Sequence, residues 1–262
     1  MAYLARMLAD DGYPVRSWCL AGAPNEGTPS EAMAAERLVL PVPLQKERQL
    51  NGTKLPLSEL WPRLNAKQRI YAGAIPVAAR EHAERLGLRL TDYYTDEALT
   101  VKNAVVTAEG ALAVAMEHLP VTLCETSCLV IGFGRIGKLL ARDLAALGAD
   151  VAVSARRFDD FAWIGALGYR ALHTERLAGR LKRFRVIFNT VPSMVLDDRL
   201  LAEVRADCVL IELASRPGID AEAARTRKLS YIKANGLPGK AAPETAALAL
   251  RETLYRIWEE EP

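Results

Sequence analysis

The residues best suited to chemistry form one run, Cys128-Leu129-Val130-Ile131-Gly132-Phe133-Gly134-Arg135-Ile136-Gly137. An apolar stretch ends there in Gly-x-Gly-x-x-Gly, and Ala141, Leu144 and Leu147 follow at helical spacing. Such a run supports phosphate binding. Gly132 permits a tight turn, Gly134 lets backbone approach a pyrophosphate, and Gly137 lets helix and strand pack closely. The helix start, where Arg135 and Ile136 stand, offers unpaired N–H donors to an anion.

Gly148-Ala149 and a second apolar run, Val151-Ala152-Val153, complete a strand–helix–strand unit. About 20 positions beyond the glycines, an Asp or Glu would accept hydrogen bonds from a ribose 2′-hydroxyl. This chain has Ser154-Ala155-Arg156-Arg157 instead. An acid would repel a 2′-phosphate, whereas Ser154 can donate a hydrogen bond and Arg156 or Arg157 can pair with the phosphate. The unit is therefore expected to bind NADP(H) in preference to NAD(H). The glycines alone leave a flavin or S-adenosylmethionine open.

A second constellation lies at later strand ends. Asn189-Thr190-Val191-Pro192-Ser193 follows one apolar run and is expected beside a nicotinamide. Glu212-Leu213-Ala214-Ser215-Arg216-Pro217-Gly218 follows the next, with Ser215 read as a cofactor contact, and Asn235-Gly236-Leu237-Pro238-Gly239-Lys240 follows the last. Three successive polar, Gly/Pro-containing turns are the arrangement expected around one cleft. Asn103, Thr107 and Gly110 share a helical face by their spacing, and that face either lines the cleft or serves as a capped hinge. His82, His118 and His173 have no partners at triad or ligand spacing and are read as surface or boundary residues.

The elements that must position these groups alternate along the chain. Helical and extended patterns predict a helix over 1–9, a strand over 15–20, a helix over 30–36, a strand over 37–40 and a Pro-rich loop from Pro41. A helix over 57–60, a strand over 69–72, a helix over 76–86 and a strand over 88–91 follow. A helix that feeds a strand normally follows an earlier one, so this first domain is expected to lack its first strand. The second domain reads as strands over 128–132, 151–154, 169–172, 186–189, 208–213 and 231–234, with helical segments between, among them 177–181 and 196–204. Continuous apolar runs such as Cys208-Val209-Leu210-Ile211 suit parallel strands covered on both faces. The expectation is α/β, two Rossmann-like doubly wound domains: 1–103 for substrate or partner, a connecting helix over 104–122, a dinucleotide domain over 123–240, and a C-terminal helix over 241–262 packing back on the first domain.

The chain has 262 residues, half of them hydrophobic and a quarter charged, with a net charge of +2. That balance gives no reason to expect nucleic-acid binding. No apolar run stands out as a membrane span and no leader pattern opens the chain, so a cytoplasmic location is expected. The four cysteines are scattered, no zinc set is completed, and no metal is expected.

Taken in order, these motifs resemble one family, the A-type subunits of bacterial dipicolinate synthase. The resemblance rests on Asp96-Glu97 with Asn103, Thr107, Glu109 and Gly110, on Val130 to Gly137, Ser154-Ala155-Arg156 and Asn189-Thr190-Val191-Pro192, on Leu213-Ala214-Ser215-Arg216-Pro217-Gly218, and on Leu237-Pro238-Gly239-Lys240-Ala241-Ala242-Pro243. The resemblance implies oxidation of dihydrodipicolinate to dipicolinate with NADP⁺, in the mother-cell cytoplasm of a sporulating bacterium, alongside a flavoprotein-like B-type subunit. The same chain could also self-associate. A dicarboxylate substrate needs cations and N–H donors, and Asn103, Thr107, Arg216 and Lys240 are the candidates. The chain departs from the family in its short N-terminus and in Ile219, where a second glycine is usual. The alternatives are another two-domain NAD(P)-dependent dehydrogenase, for which a Lys–Asp pair or a His is expected, and a non-catalytic dinucleotide-binding subunit.

Overall fold

A computed structural model describes residues 1–261 and divides the chain into two compact units. The first comprises Met1–Lys102 and the C-terminal segment from Pro243; the second is Asn103–Ala242.

In the first unit the elements are α1 (Ala2–Asp10), α2 (Pro29–Met33), β1 (Arg37–Val39), β2 (Gln45–Lys46), β3 (Gln49–Leu50), α3 (Leu57–Leu60), β4 (Arg69–Ala72), α4 (Val77–Arg85) and β5 (Arg89–Asp92). A parallel sheet runs in the order β1-β4-β5, with Ile70, Tyr71 and Ala72 of its middle strand fully buried. The C-terminal helix, Pro243–Glu260, contributes Ala247, Leu250 and Leu254 to a core shared with Leu4 and Leu8 of α1.

The expected strand over 15–20 does not form. Ser17 donates through N–H and Oγ to Asn25 and Pro24, and Cys19 and Asn25 take positive φ, so the segment folds on itself as a loop. Local turn chemistry at Gly22, Pro24 and Asn25 outweighs the apolar run. Conversely, the Pro-rich stretch contains a short hairpin, β2 with β3, turned by Glu47 and Arg48 at φ 52° and 65°. Neither residue type signals a left-handed turn, which is why the pattern gave no hint of it.

Helix α5 (Glu97–His118) begins in the first unit and continues into the second, matching the helical pattern that the sequence carries from Asp96 to Leu119. The rest of the second unit is β6 (Ser127–Ile131), α6 (Arg135–Ala146), β7 (Asp150–Ala155), α7 (Phe158–Ala166), β8 (Arg170–His173), β9 (Val186–Asn189), α8 (Asp198–Leu201), β10 (Val209–Glu212), α9 (Ala221–Thr226), β11 (Ser230–Lys233) and α10 (Leu237–Ala241). All six strands are parallel, in the order β11-β10-β9-β6-β7-β8. The chain order reverses between β6 and β9, the switch point at whose carboxyl edge ligands bind in open α/β sheets. Alternate residues serve opposite cores. Val130, Val153 and Phe188 face Ala108, Leu112, Leu140 and Ile164 on one side; Leu129, Ile131, Ile187 and Leu210 face Leu177, Leu181, Leu201 and Ala224 on the other.

Two expected helices are shorter than their apolar spacing suggested. The segment over 177–181 is flanked by single turns of 3₁₀ helix, Thr174–Arg176 and Leu181–Arg183, and 196–204 keeps only the four residues of α8. By length and composition α5 could cross a membrane, contrary to the expectation that no run approaches that size. Half of its apolar window is buried within the protein, where Ala108, Ala111, Leu112 and Ala115 join the sheet core.

Candidate functional site

The glycine turn divides its labour by geometry. Gly132 sits at φ 101°, and a Cβ there would stand 2.4 Å from Thr190 Oγ1. A Cβ on Gly137 would lie 2.1 Å from the Gly132 carbonyl oxygen, so α6 can cross β6 this closely only without a side chain. Gly134 is the opposite case. It caps α6 at φ −81°, an ordinary value, yet a Cβ there would meet nothing within 4 Å. Its bare backbone borders open space beside the first turn of α6, where the N–H groups of Ile136 and Gly137 have no carbonyl four residues back within the helix to bond. This is a cradle that fits a pyrophosphate. When bound, a nicotinamide dinucleotide would supply a hydride acceptor or donor there.

Thr190 closes the turn from the side. Its N–H and its hydroxyl both donate to the Ile131 carbonyl, at 2.9 and 2.8 Å, tying the end of β9 to the end of β6. Asn189 is fully buried; its Nδ2 donates to the Val191 carbonyl and to Glu212 Oε1, and its Oδ1 accepts from the Val191 N–H. Val191 is half-buried, whereas Pro192 and Ser215 lie exposed on the turns that follow.

Glu212 is the residue that motif reading left without a role. It is fully buried and accepts four hydrogen bonds: from Asn189 Nδ2 and the Ala214 N–H on Oε1, and from the Gly218 and Ile219 N–H groups on Oε2. One carboxylate thus shapes the whole 213–219 loop, on which Arg216 is exposed. Gly218 fits because a Cβ would come within 2.7 Å of Asn189 Nδ2 and the Ser193 and Val191 carbonyl oxygens. Asn235 adds a tie from the end of β11, donating to the Ala214 carbonyl at 3.1 Å. The one available signal was a charged residue ending a strand that is otherwise wholly apolar.

At the end of β7 the structure separates residues that the sequence had grouped. Ser154 is fully buried, and its Oγ accepts from Thr174 Oγ1 at 3.1 Å, pinning β7 to the segment after β8. It holds the strand ends together rather than standing at the surface. Arg156 and Arg157 are exposed, and Arg157 pairs with Asp159 at 3.3 Å while Arg156 has no ion-pair partner among the described residues.

Asn103 and Thr107 are buried on α5, and the Thr107 hydroxyl donates to the Asn103 carbonyl at 2.7 Å. On the same face, a Cβ at Gly110 would stand 3.0 Å from Ala241 Cβ and 3.2 Å from Leu237 Cβ. The helix face therefore packs directly on α10, which carries the exposed Lys240. Burial pushes the Cys128 and Cys208 thiols up to about 12, so neither is a nucleophile at neutral pH. Cys19 and Cys124 are exposed.

Residues 119–219 match a family of NAD(P)-binding domains. The chain is 32% identical to the A-type subunit of dipicolinate synthase from Bacillus subtilis over 189 residues, 72% of this chain and 64% of that protein, so the alignment spans less than two thirds of the relative's length. The crystal structure of the corresponding dipicolinate synthase subunit from Bacillus halodurans superposes with a TM-score of 0.85 at 26% identity, covering 100% of this chain and 94% of that one. The Bacillus subtilis structure gives 0.83 at 26% identity, covering 99% and 92%.

Proposed function

This chain is a relative of the A-type subunits of dipicolinate synthase, and from that premise we propose that it is the NADP-binding subunit of such an enzyme, oxidising dihydrodipicolinate to dipicolinate. The observation that carries the cofactor reading is the end of β7, where an exposed Arg156 with no ion-pair partner among the described residues stands in place of a carboxylate, in the same unit as a turn whose Gly134 borders open space. Arg156 would pair with the 2′-phosphate, and the α6 N–H groups with the pyrophosphate. The rigid Asn189–Pro192 turn would hold the nicotinamide end.

The reaction balances as one hydride passed from a ring carbon of the dihydropyridine to NADP⁺, with one proton lost from the ring to water. Aromatisation supplies much of the driving force, so no strongly basic histidine is required, and positioning dominates. Arg216 and Lys240, both exposed at the carboxyl edge of the second unit's sheet, would hold the two substrate carboxylates. Asn103 would donate from its amide. Thr107, whose proton is committed to the Asn103 carbonyl, is left an acceptor role. We further propose a flavoprotein-like B-type partner and, as the setting, the mother-cell cytoplasm of a sporulating bacterium.

The test is incubation of the protein with NADP⁺ and freshly prepared dihydrodipicolinate, with and without the flavoprotein-like partner. Dipicolinate forming faster than the spontaneous rate, with equimolar NADPH, is the expected result. No acceleration in either condition rejects the proposal.

A further inference from the structure

We propose that His173 is a specificity-determining residue of the dinucleotide site, donating a hydrogen bond from Nε2 to the 2′-phosphate alongside Arg156. The proposal rests on the NADP reading above and adds a second donor to it. His173 ends β8 and is the register partner of Ala155 on β7, the residue immediately before Arg156. Both paired residues are the last of their strands, so the imidazole stands at the carboxyl edge of the sheet, on the Ala155 side and next to the turn that carries Arg156, where the adenosine ribose lies in this fold.

Its orientation is fixed twice. The ring stacks on Phe161 of α7, with centroids 5.7 Å apart and planes 23° from parallel. The Glu175 N–H donates to Nδ1 at 3.2 Å, which makes His173 the cap of the 3₁₀ turn Thr174–Arg176. A ring nitrogen that accepts a backbone N–H carries no proton, so in the neutral imidazole the proton is on Nε2. The buried Thr174–Ser154 hydrogen bond one residue on locks the ends of β7 and β8 together, which fixes the backbone that carries the ring. A partly exposed imidazole with one nitrogen used, one face stacked and a donor left over is a pre-oriented anion contact.

Capping and phosphate binding use different nitrogens, and two variants separate them. H173N keeps an acceptor near the Nδ1 position, and so the cap, but has no donor near Nε2; H173Q places an amide N–H near Nε2. Dissociation constants of NADPH and NADH would be read from tryptophan fluorescence for wild type and both variants, with thermal unfolding as the fold control. The wild type should prefer NADPH. H173N should weaken NADPH by about tenfold, the size of one hydrogen bond to a charged group, with NADH unchanged. H173Q should bind NADPH within about threefold of wild type, as a retained donor implies. A normally folded H173N that binds NADPH as wild type does, or an H173Q as weak as H173N, overturns the assignment while leaving the cofactor reading intact. A wild type without NADPH preference overturns both.

Discussion

Asn189 Nδ2 donates to Glu212 Oε1 at 2.8 Å across the paired ends of β9 and β10. With Glu212 also collecting the N–H groups of Ala214, Gly218 and Ile219, a single buried carboxylate couples the turn expected beside the nicotinamide to the loop that carries Arg216. These four N–H donors do the work that a counter-ion does for other buried carboxylates.

The first prediction follows from that coupling. E212Q replaces an acceptor oxygen by an NH₂ that must face two of the four donors, whichever way the amide is turned. Stability should fall by about 2 kcal/mol, the cost of leaving buried donors unsatisfied, as read by urea unfolding. An unchanged midpoint would mean that the loop does not depend on this carboxylate.

The glycines of the turn should respond differently to the same added methyl. At Gly137 it meets the Gly132 carbonyl oxygen, so G137A should lose about 3 kcal/mol of stability or fail to fold. At Gly134 it meets open space, so G134A should stay within about 1 kcal/mol of wild type. Its dinucleotide affinity should nevertheless drop about tenfold, because the methyl keeps a phosphate from the N–H groups. Calorimetric unfolding and cofactor titration of the two proteins distinguish these outcomes; full cofactor affinity in a folded G134A would remove the turn from the binding site.

For the substrate cations, R216A and K240A should each raise KM for dihydrodipicolinate by about tenfold, the worth of one charge-assisted contact, with smaller effects on kcat. Cofactor dissociation constants should not move. Loss of NADPH affinity in either variant would relocate that residue to the cofactor.

Thiol reactivity offers a check on the core. An aromatic disulfide reagent should titrate Cys19 and Cys124 rapidly and reach Cys128 and Cys208 only on unfolding. Both buried thiols titrate near 12 in the folded chain and near 9 when exposed. The folded state therefore holds more protons in that window, and stability should be complete below about pH 9 and decline as pH rises from there toward 12. Unfolding free energies measured from pH 8 to about 11 should fall; a flat profile would contradict the burial.

Much of the second unit was legible because its signals are local. A strand covered on both faces, a glycine turn and a helix leave a periodic record, and β9 and the glycine cradle lie where that record puts them. The first unit was harder. The apolar 15–20 segment is bent back by its own turn residues, and the β2–β3 hairpin turns on Glu47 and Arg48, which carry no turn signal. In the site, the burial of Ser154 was not legible, because a hydroxyl at a strand end reads the same whether it faces a ligand or accepts, as here, from a neighbouring Thr174. Glu212 was given no role, and His173 was read only as a surface or boundary residue, for a related reason: their partners lie on other elements or on neighbouring backbone, and sequence spacing does not encode those contacts.

Selection of a 2′-phosphorylated dinucleotide by the second unit is tested directly by paired titration of the wild-type protein with NADPH and NADH. Arg156 without an acidic neighbour at the strand end predicts NADPH binding at least about tenfold tighter, with R156E abolishing the difference. NADH binding as tightly as NADPH, or more tightly, would contradict it.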